Sequence, residues 1–419
     1  MAKIGVIGTG YVGLVTAVGF SELGHDVLGM DIDGEKIGLL KRGTSPIDEA
    51  GLEPVLKKNM EKGKLRFTTS IGETMKFSDY IFVAVNTPVD DNGSADLSQV
   101  IEAVDSLASH MNHYVIIVIK STVPVGTFEL TEEILKLKGK IEGRDYDLAS
   151  NPEFLREGKA YYDFMHPSRI IVGAKEKKIA EKVMSLYEGI NAPRLLTSIQ
   201  NAIVIKYASN AFLATRISFI NEIANICEAI GADIADVKKG LGYDPRIGHH
   251  YLQPGIGYGG PCLPKDILAL IRMSEQKGYY PQFLEAVHQK NEHQVRTVIF
   301  KIKNLLGRPL TGTKIGILGL TFKPETDDVR NSMTIRIIRR LIKEGADVVA
   351  YDPGVKKITE RRGLSKLRLA GEPEDVFEGA DLVAILTAWP QFKELDWDSL
   401  KKKMKVPRVL DAAYLFKEV

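Results

Sequence analysis

A chain of 419 residues with 44% hydrophobic side chains is too long for one ordinary core and predicts two or three globular domains. Its 56 basic and 54 acidic side chains leave a formal charge of +2, which offers no global field to nucleic acid or an anionic membrane. No apolar stretch approaches the roughly 20 residues that span a bilayer, Met1 to Gly8 runs into a strand pattern with no signal-peptide core, and two cysteines are too few for a disulfide framework. The expectation is a cytoplasmic protein with reduced thiols and neither nucleic-acid nor membrane partners.

Lys3 to Ile7 reads as a buried parallel strand, followed at once by Gly8-Thr9-Gly10-Tyr11-Val12-Gly13 and an apolar helix pattern from Leu14 to Leu23. This is GxGxxG in its strand-to-helix context. Gly8 permits the tight turn, Gly10 admits a pyrophosphate, Gly13 allows close helix-to-strand packing, and the helix amino terminus supplies partial positive charge. A second strand, Asp26 to Met30, ends at Asp31, placed to accept from an adenosine ribose and to repel a 2′-phosphate, which favours NAD over NADP. Strands are predicted at Tyr80 to Val85, Tyr114 to Ile119, Asp147 to Ser150 and Arg169 to Gly173. Two of them run into polar segments, Asn86-Thr87-Pro88 and Lys120-Ser121-Thr122, where open α/β sheets bind ligands. Residues 1–195 form the expected dinucleotide-binding domain.

From Ser198 to Ile230 no proline interrupts an apolar helical spacing, so one long helix ending near Gly231 is predicted. Its length suits a link between domains and a contact with a second subunit. Lys206 and Asn210 share one face of it, and the apolar residues around Lys206 would partly desolvate the ammonium, which favours proton chemistry. Cys227 lies on the apolar stripe and reads as an inert core thiol. Cys262 is different: Gly257-Tyr258-Gly259-Gly260-Pro261-Cys262-Leu263-Pro264-Lys265-Asp266 puts it in a glycine-rich loop beside a lysine and a carboxylate, with Gly259-Gly260 leaving room for a substrate. The eight histidines have no metal-ligand spacing, and no metal is expected.

After a connector near Gly307 to Gly312, strands at Lys314 to Leu320, Ala346 to Tyr351, Asp381 to Leu386 and Arg408 to Leu410 build a second parallel βα unit. Its first turn lacks the full glycine fingerprint, so a second dinucleotide is not expected there. Lys323 and Arg330 suit another phosphate-bearing ligand. The fold class is therefore α/β, with two Rossmann-like doubly wound parallel-sheet domains joined by a long central helix and a helical dimerisation region. The domains are residues 1–195, 196–306 and 307–419.

Over essentially its whole length the sequence resembles the UDP-glucose 6-dehydrogenase family, within the nucleotide-sugar dehydrogenases. The motifs are GTGYVG at Gly8, NTP at Asn86, KSTVPVG at Lys120, NPEFLREG at Asn151, KYASNAFLATRISFINE at Lys206, DPRIG at Asp244, GYGGPCLPKD at Gly257 and GLTFKPETDDVR at Gly319. The resemblance implies a four-electron oxidation of UDP-glucose to UDP-glucuronate with two NAD+ in turn. Lys206, with Asn210, Asp266 and water, would hold the developing alkoxide and manage its proton. Cys262 would attack the aldehyde, giving a thiohemiacetal and then a thioester. Glu153, with Thr122, would orient or activate the hydrolytic water.

The resemblance also implies substrate contacts from Glu153, Phe154, Leu155, Lys206, Asn210, Tyr251, Leu252, Gly259, Phe322 and Lys323, with Arg246 reaching a neighbouring subunit in a homodimer or larger assembly. Cofactor contacts carry to Gly8, Gly10, Tyr11, Val12, Gly13, Asp31, Lys36, Thr87, Thr122, Glu157 and Arg330. Lys36 stands where relatives often have arginine. Pro261 stands where serine or alanine is frequent, and it removes one backbone donor from the loop. The alternatives are the same chemistry on UDP-N-acetylmannosamine or GDP-mannose, a two-electron hydroxyacid dehydrogenase that would need no cysteine, and an NAD-binding sensor without turnover.

Overall fold

The computed structural model describes residues 1–89, 93–358 and 363–416, and backbone packing divides the chain into two units, Met1–Ala208 and Ser209–Val419. The first is built on strands β1 (Lys3–Ile7), β2 (Asp26–Met30), β3 (Leu65–Thr68), β4 (Tyr80–Val83), β5 (Val115–Ile119), β6 (Tyr146–Ser150), β7 (Ile170–Ala174) and β8 (Arg194–Thr197). They lie in the order β3-β2-β1-β4-β5-β6-β7-β8. Every residue of β5, β6 and β7 is buried, as a sheet covered on both faces requires. Strands β1 to β6 run parallel, so their carboxyl ends, and the segments after Ile7, Val83, Ile119 and Ser150, gather on one edge of the sheet.

One pairing departs from the all-parallel expectation: β7 is antiparallel to β6, with Ala149 opposite Ala174. Residues 151–169 join them, with the six-residue helix Ala160–Met165 as their one helix. The chain re-enters the sheet from the end at which β6 left it, so the two strands exchange an antiparallel ladder. The nine-residue helix Lys177–Ser185 then makes the crossover that lets β8 run parallel to β7. Strands β3 and β8, too short and too mixed to announce themselves, were not anticipated.

The predicted long helix spans Ile199–Ile230, 32 residues. It ends at Gly231, which takes the left-handed conformation at φ 76°, while the Ala232 amide returns to the Cys227 carbonyl. Cys227 is buried with Ile220, Ala224 and Ile234, the core role expected of it.

The second unit carries a wholly parallel sheet of β9 (Lys314–Leu318), β10 (Asp347–Tyr351), β11 (Leu367–Leu369), β12 (Leu382–Ile385) and β13 (Val409–Asp411), ordered β11-β10-β9-β12-β13. Val348 and Ala350 pack with Ile338 and Leu341 of helix Met333–Lys343, whereas Val349 packs on the opposite face with Phe377 and Phe392. That alternation is the doubly wound pattern. Helices Leu263–Gln276 and Gln282–Leu306 complete the elements that bear on the site. Among the described residues no helix is long and apolar enough to cross a membrane.

Candidate active site

In the first unit, the β1 turn has the geometry of a pyrophosphate cradle. Gly8 adopts φ 88°, and a side chain at Gly13 would begin 1.7 Å from the Gly8 carbonyl oxygen, so only glycine lets helix Tyr11–Glu22 start this close to the strand. Above Gly10 nothing lies within 4 Å, and no side chain caps the helix, whose first turn contains Tyr11, Val12 and Gly13. Open space beside uncapped amide donors is what a bound pyrophosphate uses, and the residues present fit NAD.

Asp31 stands at the end of β2. Its Oδ2 accepts from the Thr9 amide at 2.8 Å, the Thr9 hydroxyl at 3.0 Å and Lys36 Nζ at 2.8 Å, and its Oδ1 from the Asp33 amide at 3.1 Å. Burial raises its proton affinity, but Lys36 and the two amides outweigh burial and hold the carboxyl below its usual range. Farther along the same sheet edge, Thr87 Oγ1 donates to the Thr122 carbonyl at 2.9 Å, tying the segments after β4 and β5 together. Glu157 is half-buried on a turn fixed by the Arg156–Asp163 ion pair at 2.6 Å and by Glu49, which accepts from the Gly158 amide at 3.0 Å. Glu49 had no signature in the sequence.

The segment after β6 delivers Glu153 to Lys206. Lys206 Nζ lies 2.8 Å from Glu153 Oε1, with 5% and 8% of the two side chains exposed, and Glu153 Oε2 accepts from the Leu155 amide at 2.6 Å. Burial pushes the Glu153 carboxyl up; the charge and hydrogen bond of Lys206, the Leu155 amide and the charge of Lys120 pull it down further, so it stays ionised. Phe154 lies under two cations, with the Arg169 guanidinium carbon 3.8 Å and Lys206 Nζ 5.4 Å from its ring centre. Behind Glu153, Lys120 Nζ donates to Asn151 Oδ1 at 3.0 Å, and the Tyr187 hydroxyl donates to that same oxygen at 2.5 Å. The first unit thus holds an ionised carboxylate and an ammonium in direct contact and shielded from water, suited to stabilising an oxyanion and directing a water molecule.

In the second unit, Cys262 is the exposed N-cap of helix Leu263–Gln276. The partial positive charge of a helix amino terminus favours an anion there, which suits a thiolate. One turn on, Asp266 is 1% exposed; its Oδ2 accepts from Asn210 Nδ2 at 2.5 Å and its Oδ1 from Lys265 Nζ at 2.7 Å. Neither cysteine is in a disulfide. Among the described residues no group of three His, Cys, Asp or Glu is arranged to hold a metal ion.

The loop before Cys262 is fixed from below. Asn291, on helix Gln282–Leu306, accepts from the Tyr258 amide at 2.8 Å and donates to the Tyr258 carbonyl at 2.9 Å, and it is fully buried. Gly259 and Gly260 are also required by packing. A side chain at Gly259 would meet the Asn331 carbonyl oxygen at 2.6 Å, and one at Gly260 the Phe322 ring at 2.7 Å. The glycines let the loop lie against Phe322 and Asn331 of the same unit.

The other expected substrate residues of this unit are unevenly placed. Leu252 is buried among Ile220, Ile234 and Tyr414, while Tyr251, at φ 59°, is exposed. Phe322 is half-buried, with Lys323 Nζ 5.7 Å from its ring centre. Arg246 and Arg330 are exposed and paired with their own neighbours, Asp244 at 2.6 Å and Asp328 at 2.5 Å. Asp352, at the end of β10, accepts at Oδ2 from the Leu320 and Thr321 amides, the Thr321 hydroxyl and the Trp389 indole at 3.1 Å, and at Oδ1 from the Gly354 amide at 2.9 Å.

Comparison with known proteins agrees with this architecture. The chain matches the models of the UDP-glucose/GDP-mannose dehydrogenase family in three parts: its NAD binding domain over residues 2–191, its central domain over 200–293 and its UDP binding domain over 316–418. It is 43% identical to the UDP-glucose 6-dehydrogenase TuaD of Bacillus subtilis over 418 residues, 99% of this chain and 90% of the relative. Among solved structures, a UDP-glucose dehydrogenase from Pyrobaculum islandicum superposes with a TM-score of 0.90 at 36% identity, covering 99% of this chain and 98% of the other. A UDP-D-ManNAc dehydrogenase from Pyrococcus horikoshii gives 0.87 at 29%, covering 96% and 93%.

Proposed function

The chain belongs to the UDP-glucose/GDP-mannose dehydrogenase family, and from that premise we propose that it oxidises the C6 alcohol of UDP-glucose to the carboxylate of UDP-glucuronate with two NAD+. The observation that carries the four-electron course is Cys262, an exposed thiol at a helix amino terminus one turn from a buried carboxylate; a two-electron dehydrogenase needs no such group. UDP-glucose is preferred because the relatives of higher identity bear its name, whereas the UDP-D-ManNAc dehydrogenase is more distant.

NAD+, when bound, supplies the two-electron acceptor for each oxidation. Lys206 and Asn210, with Asp266, hold the C6 oxygen as it becomes an alkoxide, and water carries away the proton that the hydroxyl loses. Cys262 adds as thiolate to the aldehyde carbon, forming the thiohemiacetal whose oxidation leaves a thioester. Glu153, an ionised carboxylate, takes the proton of the attacking water with Thr122 orienting it, Lys206 holds the tetrahedral oxyanion, and the Cys262 thiolate leaves. Glu157 orients the cofactor, with Asp31, Lys36, Thr87 and Arg330 as further contacts. Phe154, Leu155, Tyr251, Leu252, Gly259, Phe322 and Lys323 bind the sugar nucleotide.

On this reading residues 1–195 bind the cofactor, 196–306 carry the nucleophile and a subunit interface, and 307–419 bind UDP. A homodimer is part of it. Phe212, Phe219, Ile226 and Ile230 are exposed on the long helix, three of them at seven-residue spacing, an apolar stripe that a second copy would cover. Arg246 would then reach the neighbouring subunit's sugar. A thiol nucleophile must stay reduced, which fits the cytoplasm.

The test is initial-rate NADH formation by the purified protein with UDP-glucose, UDP-N-acetylmannosamine and GDP-mannose in parallel, with sedimentation of the same sample. A kcat/KM highest for UDP-glucose, in a particle of at least two chains, supports the reading. Preference for another sugar moves the substrate, and NAD binding with no turnover on any of them overturns it.

A further inference from the structure

Among the described residues two lysines are buried, Lys120 and Lys206, each 4% exposed. Lys206 faces a carboxylate. Lys120, the residue after β5, donates only to neutral groups: Asn151 Oδ1 at 3.0 Å, the Asn151 carbonyl at 3.4 Å and the Tyr187 hydroxyl at 3.4 Å. An ammonium buried without a counter-ion is costly, and hydrogen bonds to neutral acceptors offset that cost only in part. A methionine or glutamine would join β5 to β6 without it, so a purely structural role does not explain the charge.

The surroundings supply a reason. Asn151 precedes Glu153 by two residues, so Lys120 grips the segment that carries the carboxylate. The charged and titratable groups facing Lys120 come from three places: Glu153 on that segment, Lys206 on the long helix, and Tyr187 beyond helix Lys177–Ser185, whose ring centre lies 6.0 Å from Lys120 Nζ. Around Glu153 the charged groups are Lys206 in contact and Lys120 behind, with Arg169 stacked on the adjacent Phe154. Two buried ammonium groups and one carboxylate leave this cluster with an excess positive charge. An oxyanion formed beside Lys206 sees that excess undiluted by water.

We propose that Lys120 is a positioning residue for the Glu153–Lys206 pair: its buried ammonium anchors the Glu153 segment through Asn151 and supplies a second positive charge that keeps the carboxylate ionised and strengthens the hold on a developing oxyanion. The proposal rests on the reading of Glu153 and Lys206 as reacting groups. Burial foremost, and the like charge of Lys206, lower the Lys120 pKa to about 8, with Glu153 opposing the shift, so the group is still largely charged at neutral pH.

The experiment compares Lys120→Met, Lys120→Arg and Glu153→Gln in the intact enzyme, reading kcat, KM for UDP-glucose, the acidic limb of the kcat–pH profile, NAD+ affinity and melting temperature. For Lys120→Met the expected result is a kcat about tenfold or more lower, with KM and NAD+ affinity near those of the unsubstituted enzyme. The acidic limb moves to higher pH, because a carboxylate that loses a neighbouring cation binds its proton more tightly. The melting temperature does not fall with kcat, since an unpaired buried charge has been removed. A folded Lys120→Met with unchanged kcat and acidic limb overturns the proposal, as does a loss of kcat matched by a loss of melting temperature with no movement of the limb. If Lys120→Met does not fold, Lys120→Arg decides: it keeps the charge, so an unmoved limb supports the proposal and a displaced one defeats it. An unaltered rate and pH profile in Glu153→Gln would instead remove the premise, and the two failures are distinguishable in one set of assays.

Discussion

Lys206 Nζ and Glu153 Oε1 meet at 2.8 Å with both side chains almost wholly withdrawn from water, an ion pair made by residues 53 positions apart. Replacing Glu153 by Gln leaves the Lys206 ammonium buried beside a neutral amide. The expected cost is about 3–5 kcal/mol of folding stability at neutral pH, measured by chemical denaturation.

The same pair gives stability an acid dependence of known sign. Folded Glu153 is held below its ordinary value of 4.5, so the unfolded chain binds the proton more readily. The stabilisation is present above that ordinary value and is lost as pH falls through the lower folded value. Denaturation midpoints followed downward from about pH 6 should therefore fall less steeply for Glu153→Gln than for the unsubstituted chain, and equal slopes would show that the pair does not contribute.

Asp31 is expected to discriminate between cofactors. Asp31→Ala removes a charged acceptor from the ribose site and leaves Lys36 without its partner, so NAD+ affinity should weaken by about 1–3 kcal/mol while discrimination against NADP+ relaxes. Titration with both cofactors checks this; unchanged affinity for each would show that the carboxylate serves only Thr9 and Lys36.

The loop before Cys262 depends on residues that never touch substrate. Asn291→Ala strands the Tyr258 amide and carbonyl in a buried place, which costs about 1–3 kcal/mol for each unsatisfied group. Gly260→Ala forces a side chain at φ 85° into the Phe322 ring. Both variants should melt at lower temperature and lose kcat, and a full kcat in either would separate loop geometry from turnover.

Much of the first sheet was visible in the sequence because its signals are local. Strands β1 and β2 have the bounds that the apolar runs imply, the Gly8 to Gly13 turn and Asp31 sit in one βα unit, and the long helix begins and ends where its apolar spacing does. Lys206 stood out as a lysine among apolar neighbours. Its partner did not, because nothing within a few residues of Glu153 records which helix will cover it. The Asn210–Asp266 bond joins residues 56 apart, and only the family resemblance, not the local pattern, had grouped them. Lys120 had one faint signal, a lysine directly behind five consecutive apolar residues, whereas the Asn291 clamp and the reversal at β7 depend on packing alone. The pair Gly259-Gly260 reported a close approach without saying that Phe322 and Asn331 are among what approaches.

Cys262→Ser should keep UDP-glucose binding but fail to sustain turnover, stalling at the aldehyde or at a slowly hydrolysed ester, because an alcohol is a poorer nucleophile than a thiolate. Quenched-flow sampling of sugar products checks it, and normal steady-state release of UDP-glucuronate would exclude Cys262 as the nucleophile.

The most direct test of the whole account is the amount of NADH formed when a known quantity of UDP-glucose is consumed to completion by the purified enzyme in excess NAD+. Two NADH per UDP-glucose, with UDP-glucuronate as the sole sugar product, is the predicted result. One NADH per sugar, with the aldehyde released, would contradict the thioester step and the role given to Cys262.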